Sequence, residues 1–280
     1  MKKTIDTLIE DIHASLEDPK HTISGKAFNE FLDAIKKTIL KAYGPDQDLY
    51  LRMSNVGSPD RKLWYEFNSD ISRGITAQTR IVFLYGDLIE ALLIFMTKEA
   101  GHKVTEQQKK VEISGVKGSK DCDIDGELVD IKSASAFNFA KFKTGSILQN
   151  DPFGYIPQLS SYAEADGRDR AYFFVINKAN GEMCTLKVEG FELINAKERI
   201  EHIRRVIKSK DKPIEKCYKP VPDGKSGNMK LAFECGWCPY KYDCWKNTNY
   251  GLGIRSFQYS DSVRELVEIG KMPKVKEISV

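Results

Sequence analysis

The chain has 280 residues, of which 41% are hydrophobic and 30% charged, and 43 basic against 40 acidic residues leave a net charge of +3. That length supports a sizeable core, as one elaborated domain or a domain with small appendages. No apolar run approaches the eighteen residues of a membrane span, and the basic pair Lys2-Lys3 has no apolar stretch behind it. The sequence therefore predicts no membrane partner and no secretory signal. The charge balance by itself does not establish a nucleic-acid partner.

Residues 1–50 read as helical. Thr7 to Leu16 form a short amphipathic segment that Pro19 ends, and Ser24 caps a longer helix to about Tyr43. Phe28, Phe31, Leu32, Ile35 and Ile39 share one stripe of that helix and are expected in the core. His13 and His21 read as surface histidines.

Ser54 to Tyr65 has loop chemistry and then the basic pair Arg61-Lys62, followed by Trp64 and Tyr65. Such a segment suits a phosphate backbone and a stacked base. It equally suits a loop entering a helix whose two aromatics are core. From Thr79 to Gly101 the apolar spacing is helical, through Ile81, Leu84, Leu88, Leu92 and Phe95. Glu90 sits inside that pattern, where a carboxylate either edges into solvent or is aimed into a site. Lys103 to Ile113 reads as a strand.

Asp125-Gly126 then separates two short strand-like segments, a strong signal for a tight hairpin. Alternation puts Asp130 and Lys132 on one face and Val129 and Ile131 on the other, and the hairpin folds Asp121 back toward the first pair. Two carboxylates and an ammonium would then surround a spot suited to Mg²⁺ or Mn²⁺, with the carbonyl of Ile131 as a further ligand. A metal held there would polarise a phosphodiester and acidify a bound water, with Lys132 serving that water. The competing reading is a hairpin whose charges are merely solvated.

The aromatic, Pro- and Gly-punctuated segment from Phe137 to Pro157 is expected to be an irregular loop flanking a substrate. A helix follows to about Asp166, placing Gln158 and Tyr162 on one face. Arg170 to Asn177 reads as a central strand, Glu182 to Val188 as another, and Asn195 to Lys210 as a basic helix with a solvated polar face. Helices followed by a strand–helix–strand run describe an α/β core with a mixed sheet.

Of six cysteines, Cys235, Cys238 and Cys244 fall within ten residues at metal-ligand spacing, which points to a reduced, intracellular protein. Cys122 and Cys184 read as buried thiols. The competing reading of the triplet is a small aromatic core with Trp237, Tyr240 and Trp245. No Gly-x-x-x-x-Gly-Lys-Ser/Thr motif is present, so any helicase or ATPase would be a separate protein.

Asp121, then Asp130-x-Lys132, then Gln158-x-x-x-Tyr162 resembles the PD-(D/E)XK nuclease superfamily in its RecB-like branch. Ser54 to Tyr65 and the cysteine triplet are similar to segments of that branch's iron–sulfur, CRISPR-associated and phage exonuclease-like members. The resemblance spans about Ser54 to Trp245. It implies a restriction-endonuclease-like α/β core with a mixed central sheet. Residues 1–77 would be a helical cap, 78–212 the nuclease core, and 213–280 a cysteine–metal region with a terminal helix.

The resemblance also implies roles. Asp121 and Asp130 would bind the hydrolytic metal with Glu90, although Asp87 and Glu99 compete for that third place. Lys132 would serve the attacking water, and Gln158 and Tyr162 would hold the DNA strand, with Arg61 and Lys62 as further DNA contacts. The upstream cysteine of the iron–sulfur members is missing here, and Cys217 is the nearest replacement, so a [4Fe–4S] cluster and a zinc ion both stay open. The expected activity is a Mg²⁺- or Mn²⁺-dependent deoxyribonuclease. It would act as an exonuclease on single strands or DNA ends in recombination, repair or phage DNA processing, in the cytoplasm of a bacterium or phage-infected cell. The alternatives are a non-catalytic, metal-stapled nucleic-acid-binding subunit and a structure-selective endonuclease.

Overall fold

The computed structural model describes residues 3–45, 49–70 and 76–279. In chain order the helices are α1 (Leu8–Glu17), α2 (Gly25–Ala42), α3 (Asp60–Asn68), α4 (Ala77–Glu99), α5 (Ala136–Thr144), α6 (Tyr155–Ala165), α7 (Ala196–Lys208), α8 (Phe233–Gly236) and α9 (Lys241–Cys244). The strands are β1 (Val104–Thr105), β2 (Lys110–Ile113), β3 (Val116–Ser119), β4 (Cys122–Ile124), β5 (Glu127–Ala134), β6 (Arg170–Asn177), β7 (Met183–Glu189), β8 (Val221–Pro222), β9 (Met229–Lys230), β10 (Arg255–Gln258), β11 (Val263–Glu268) and β12 (Glu277–Ile278). These elements form two compact units, Met1–Ser58 with Gly74–His202, and Pro59–Arg73 with Ile203–Val280.

The first unit is built on a five-stranded sheet of order β1-β4-β5-β6-β7. Within that sheet β5 and β6 run parallel, and α5 and α6 make the crossover that a parallel pair requires. β4 and β5 form the expected hairpin: Asp125 and Gly126 both have positive φ, 52° and 92°, the conformation of a type I′ turn. Val129 and Ile131 join Cys122, Ile124, Tyr172 and Phe174 in a core closed by Leu8 and Ile12 of α1 and Leu93 of α4. The facing residues of β5 and β6 are therefore apolar on that side, which leaves Asp130 and Lys132 the other. This strand order, with its helix-first entry and parallel crossover, is a restriction-endonuclease-like α/β core.

Three local expectations are corrected. Lys103 to Ile113 is two strands in different sheets, because a tight loop with Glu106 and Gln108 at positive φ separates β1 from the β2–β3 hairpin. The segment after Ser135 is not irregular: the Ser135 hydroxyl accepts the N–H of Asn138 and caps α5, and Phe139 and Phe142 of that helix are buried. The apolar stripe of α2 is not all core. Phe31 stacks on Phe95 of α4 at 5.0 Å, but Phe28, Leu32 and Ile39 are exposed, because α2 contributes only one side of its stripe to the pairing with α4.

The second unit carries a five-stranded antiparallel sheet of order β12-β10-β11-β9-β8. The expected terminal helix is replaced by strands. Phe257 on β10 and Leu266 on β11 point inward among more polar neighbours, and a bend at Ser260-Asp261 turns one strand back on the other.

Candidate active site

The hairpin brings its three charged residues together. The backbone N–H of Ile131 donates to Asp121 Oδ2 at 2.8 Å, which pins the first carboxylate beside the second strand. Asp130 is buried at 2% exposure. Lys132 Nζ lies 2.6 Å from Asp130 Oδ2 as a charge-assisted ion pair. Asp130 Oδ1, buried on the same carboxylate, has no hydrogen-bond donor among the described residues, and a buried oxygen so placed is costly. The Lys132 ammonium also lies 5.5 Å from the centre of the Tyr155 ring, a contact absent from the sequence reading.

Glu90 approaches from α4 and accepts from the Gln108 amide at 2.7 Å. The two competing acids are otherwise engaged: Asp87 pairs with Lys41 at 2.7 Å, and Glu99 accepts from His21 and the Ser24 N–H. The site electrostatics follow from crowding. Burial, against the Gln108 hydrogen bond and with the nearby charges of Asp87 and Asp130, pushes Glu90 up to about 7. Burial, then Glu90 and Asp130, holds Asp121 well above the ordinary carboxylate range. Burial also raises Asp130, with Lys132 pulling it back. For Lys132 burial acts downward, but Asp130 and Asp121 outweigh it and keep the ammonium above its usual range. Carboxylates that burial holds toward their neutral form, one of them with a buried oxygen lacking a donor, are oxygen ligands of the kind a hard divalent cation takes.

Glu90, Asp121, Gln108 and Gln158 line one groove of about 760 Å³, whose far wall is the α2 face carrying Lys37, Thr38 and Lys41. Gln158 Nε2 donates to the Tyr162 hydroxyl at 3.2 Å. The Tyr162 ring is buried at 4% exposure, so it is a core residue and Gln158 is the member of the pair that reaches the groove. The 54–58 loop borders this helix closely. A Cβ on Gly57 would overlap the backbone of Gly154, the N-cap of α6, and the reverse is also true. Arg199 of α7 holds the same loop through the carbonyls of Val56 and Ser58.

Glu106, Asp123 and Asp166 form a second acidic group, with oxygens within 4.8 Å of one another. The fully buried Lys120 ammonium already lies 2.5, 2.9 and 2.7 Å from them, and Arg168 pairs with Asp123 and Asp166. A cation of the chain thus fills the place an ion would take, and the group ties the 106–109 loop to β4 and the end of α6.

In the second unit Cys217, Cys235, Cys238 and Cys244 lie within electrostatic reach of one another, and burial pushes Cys217 up to about 11 and Cys235 up to about 12. Each sulfur has a donor: the Lys62 N–H for Cys217, the Trp245 side chain for Cys235, the Tyr240 N–H for Cys238, and Arg61 Nε at 3.2 Å for Cys244. Lys216 adds a cation 3.9 Å from Cys244 Sγ. Four sulfurs, each reached by a donor, are soft ligands of the kind that zinc or an iron–sulfur cluster takes. Arg61 is buried at 6% and also donates to the carbonyls of Pro213 and Ile214. It therefore faces the cysteines and not the solvent. Tyr65 is likewise inside, stacked on Tyr240 at 5.6 Å. The spacing of Arg61-Lys62-Trp64-Tyr65 carried no sign of this role, since Cys217 and Cys244 lie more than 150 residues further along the chain.

No protein-family model and no curated protein matches the sequence. Among solved structures, the chain is similar to the protein SSO0001, at 13% identity and a TM-score of 0.44 over 75% of this chain and 93% of that one. It is also similar to the alkaline exonuclease of Laribacter hongkongensis, at 16% identity and a TM-score of 0.36 over 61% and 88%. A phage-related exonuclease from Haemophilus somnus follows at 10% identity and 0.29 over 70% and 87%. The strand order, the parallel crossover and the placement of Asp121 beside Asp130 and Lys132 agree with the fold and the hairpin that the sequence leads one to expect.

Proposed function

We propose that the chain is a metal-dependent DNA nuclease acting as an exonuclease on single strands or DNA ends. The observation that carries this is the buried Asp130–Lys132 pair beside Asp121, with Glu90 lining the same groove as Asp121 and Asp130 Oδ1 left without a donor. Glu90, Asp121, Asp130 and the Ile131 carbonyl would hold a Mg²⁺ or Mn²⁺. Bound there, the ion supplies Lewis acidity toward a phosphodiester and lowers the pKa of a coordinated water. Asp130 holds Lys132 protonated and pointed at the same spot, where the ammonium orients the nucleophile and offsets charge gathering on phosphorus. Gln158, tethered by the Tyr162 hydroxyl, offers its amide to the strand lying in the groove.

We propose further that the four cysteines hold a [4Fe–4S] cluster that staples α3 to the carboxy-terminal region, with Arg61 and Lys216 offsetting the thiolate charge. What favours iron–sulfur over zinc is the resemblance of the Cys235, Cys238 and Cys244 triplet, in spacing and position, to that of the iron–sulfur nucleases. Anaerobic purification gives a brown protein containing iron and sulfide on this reading, and a colourless protein with one zinc would overturn the cluster.

The activity is tested by incubating purified protein with end-labelled single- and double-stranded DNA in Mg²⁺, Mn²⁺ or EDTA. Metal-dependent release of short products from an end supports the proposal. Binding without cleavage in either metal would return the chain to a nucleic-acid-binding subunit.

A further inference from the structure

We infer that Gln108 is a positioning residue that aims the Glu90 carboxylate at the ion, an inference that rests on the metal-dependent reading of this site. Glu90 stands on α4, separated from the hairpin in sequence and joined to its own backbone by freely turning single bonds. Nothing in the hairpin itself fixes its direction. Gln108 Nε2 donates to Glu90 Oε1 at 2.7 Å, and the Gln108 backbone N–H donates to the Asp121 carbonyl at 2.9 Å. One residue therefore touches both segments that supply these two ligands. An ionised carboxylate only accepts, so the amide must turn its NH₂ toward Glu90, and Oε2 is left for a metal.

The loop that presents Gln108 is built to stay still. Gln108 and Glu106 both adopt left-handed φ, near 52° and 53°, which side chains other than glycine hold only where the surroundings fix them. Here the Lys109 N–H closes onto the Glu106 carbonyl, and the Lys120 N–H donates to the Lys109 carbonyl. Glu106 is also tied at 2.5 Å to the fully buried Lys120 ammonium, itself anchored to Asp123 and Asp166. The charge-compensated acidic group beside the site thus acts as the mount for Gln108. An outer hydrogen bond of this kind typically governs about 10–100-fold in metal affinity.

The test measures Mn²⁺ binding without substrate, by the electron paramagnetic resonance signal of free Mn²⁺, in wild type, Gln108→Ala, Gln108→Glu, Glu90→Gln and the Glu90→Gln/Gln108→Ala double variant. Gln108 is exposed, so its replacement leaves no cavity. Gln108→Ala should bind Mn²⁺ about 10–100-fold more weakly than wild type, with the thermal midpoint and cysteine-bound metal unchanged. Gln108→Glu, which sets a like charge against Glu90, should be at least as weak. In the Glu90→Gln background the alanine substitution should cost nothing more, which a merely structural role would not produce. Equal affinity of Gln108→Ala and wild type, or an undiminished loss in the Glu90→Gln background, would overturn the inference. A wild type that binds no Mn²⁺ would instead sink the metal-dependent reading beneath it.

Discussion

Glu90 gives the account its most quantitative test, because its carboxyl pKa rises from 4.5 to about 7 for a stated reason: burial among other acids. Between those values the folded protein holds a proton on Glu90 that the unfolded chain releases. The folded state then binds more protons, so stability falls as pH rises through this window and levels off above it. At about 1.4 kcal/mol per unit, the span amounts to roughly 3 kcal/mol, or some 6–10 °C in thermal midpoint for a chain of this size. Protein treated with EDTA should therefore melt higher at pH 5 than at pH 7.5. Adding Mn²⁺ should recover most of the difference at pH 7.5 and little at pH 5, where protons compete for the same oxygens. Glu90→Gln should flatten the dependence and blunt the Mn²⁺ effect. Differential scanning fluorimetry across pH reads all three. A midpoint independent of pH between 5 and 7.5, or an unaltered slope in Glu90→Gln, would refute the crowding of acids that defines the site.

Other outcomes follow from single contacts. Arg61→Met should weaken retention of the metal proposed at the cysteines by about 10–100-fold, with partial recovery in Arg61→Lys, as read by metal content after gel filtration; unchanged content would remove Arg61 from that centre. Gly57→Ala should destabilise by about 1–3 kcal/mol and raise KM, since the new methyl drives the 54–58 loop off Gly154; a wild-type melting curve would contradict that close approach. Gln158→Ala should raise KM by roughly tenfold, the loss of one or two hydrogen bonds, while Tyr162→Phe should raise it only a few-fold by untethering Gln158. A larger effect for Tyr162→Phe would put the hydroxyl itself on the substrate.

The hairpin was legible because its determinants are local. Asp125-Gly126 dictates the turn, and alternation then assigns Asp130 and Lys132 to one face. Gln158 and Tyr162 were legible because helical spacing puts them together. Glu90 was named from the resemblance with Asp87 and Glu99 as competitors, and the partners that engage those two, Lys41, His21 and Ser24, are set by tertiary folding. Gln108 was invisible, since its role depends on a left-handed turn that no glycine announces. Arg61 was misread for a similar reason. A basic residue ahead of two aromatics suits a phosphate backbone, and only tertiary folding sets its guanidinium against Cys244. The exposed stripe of α2 shows the same limit, because periodicity marks an apolar face but not whether a partner covers it.

The central claim is that the Asp130–Lys132 pair works on a phosphodiester, and Lys132→Ala tests it most directly. Single-turnover cleavage of end-labelled single-stranded DNA in saturating Mn²⁺ should slow by about 10²–10³-fold, the usual cost of one lost transition-state donor. DNA binding in Ca²⁺ and the melting curve should stay near wild type. A Lys132→Ala protein that cleaves at close to the wild-type rate would place the chemistry somewhere other than this hairpin.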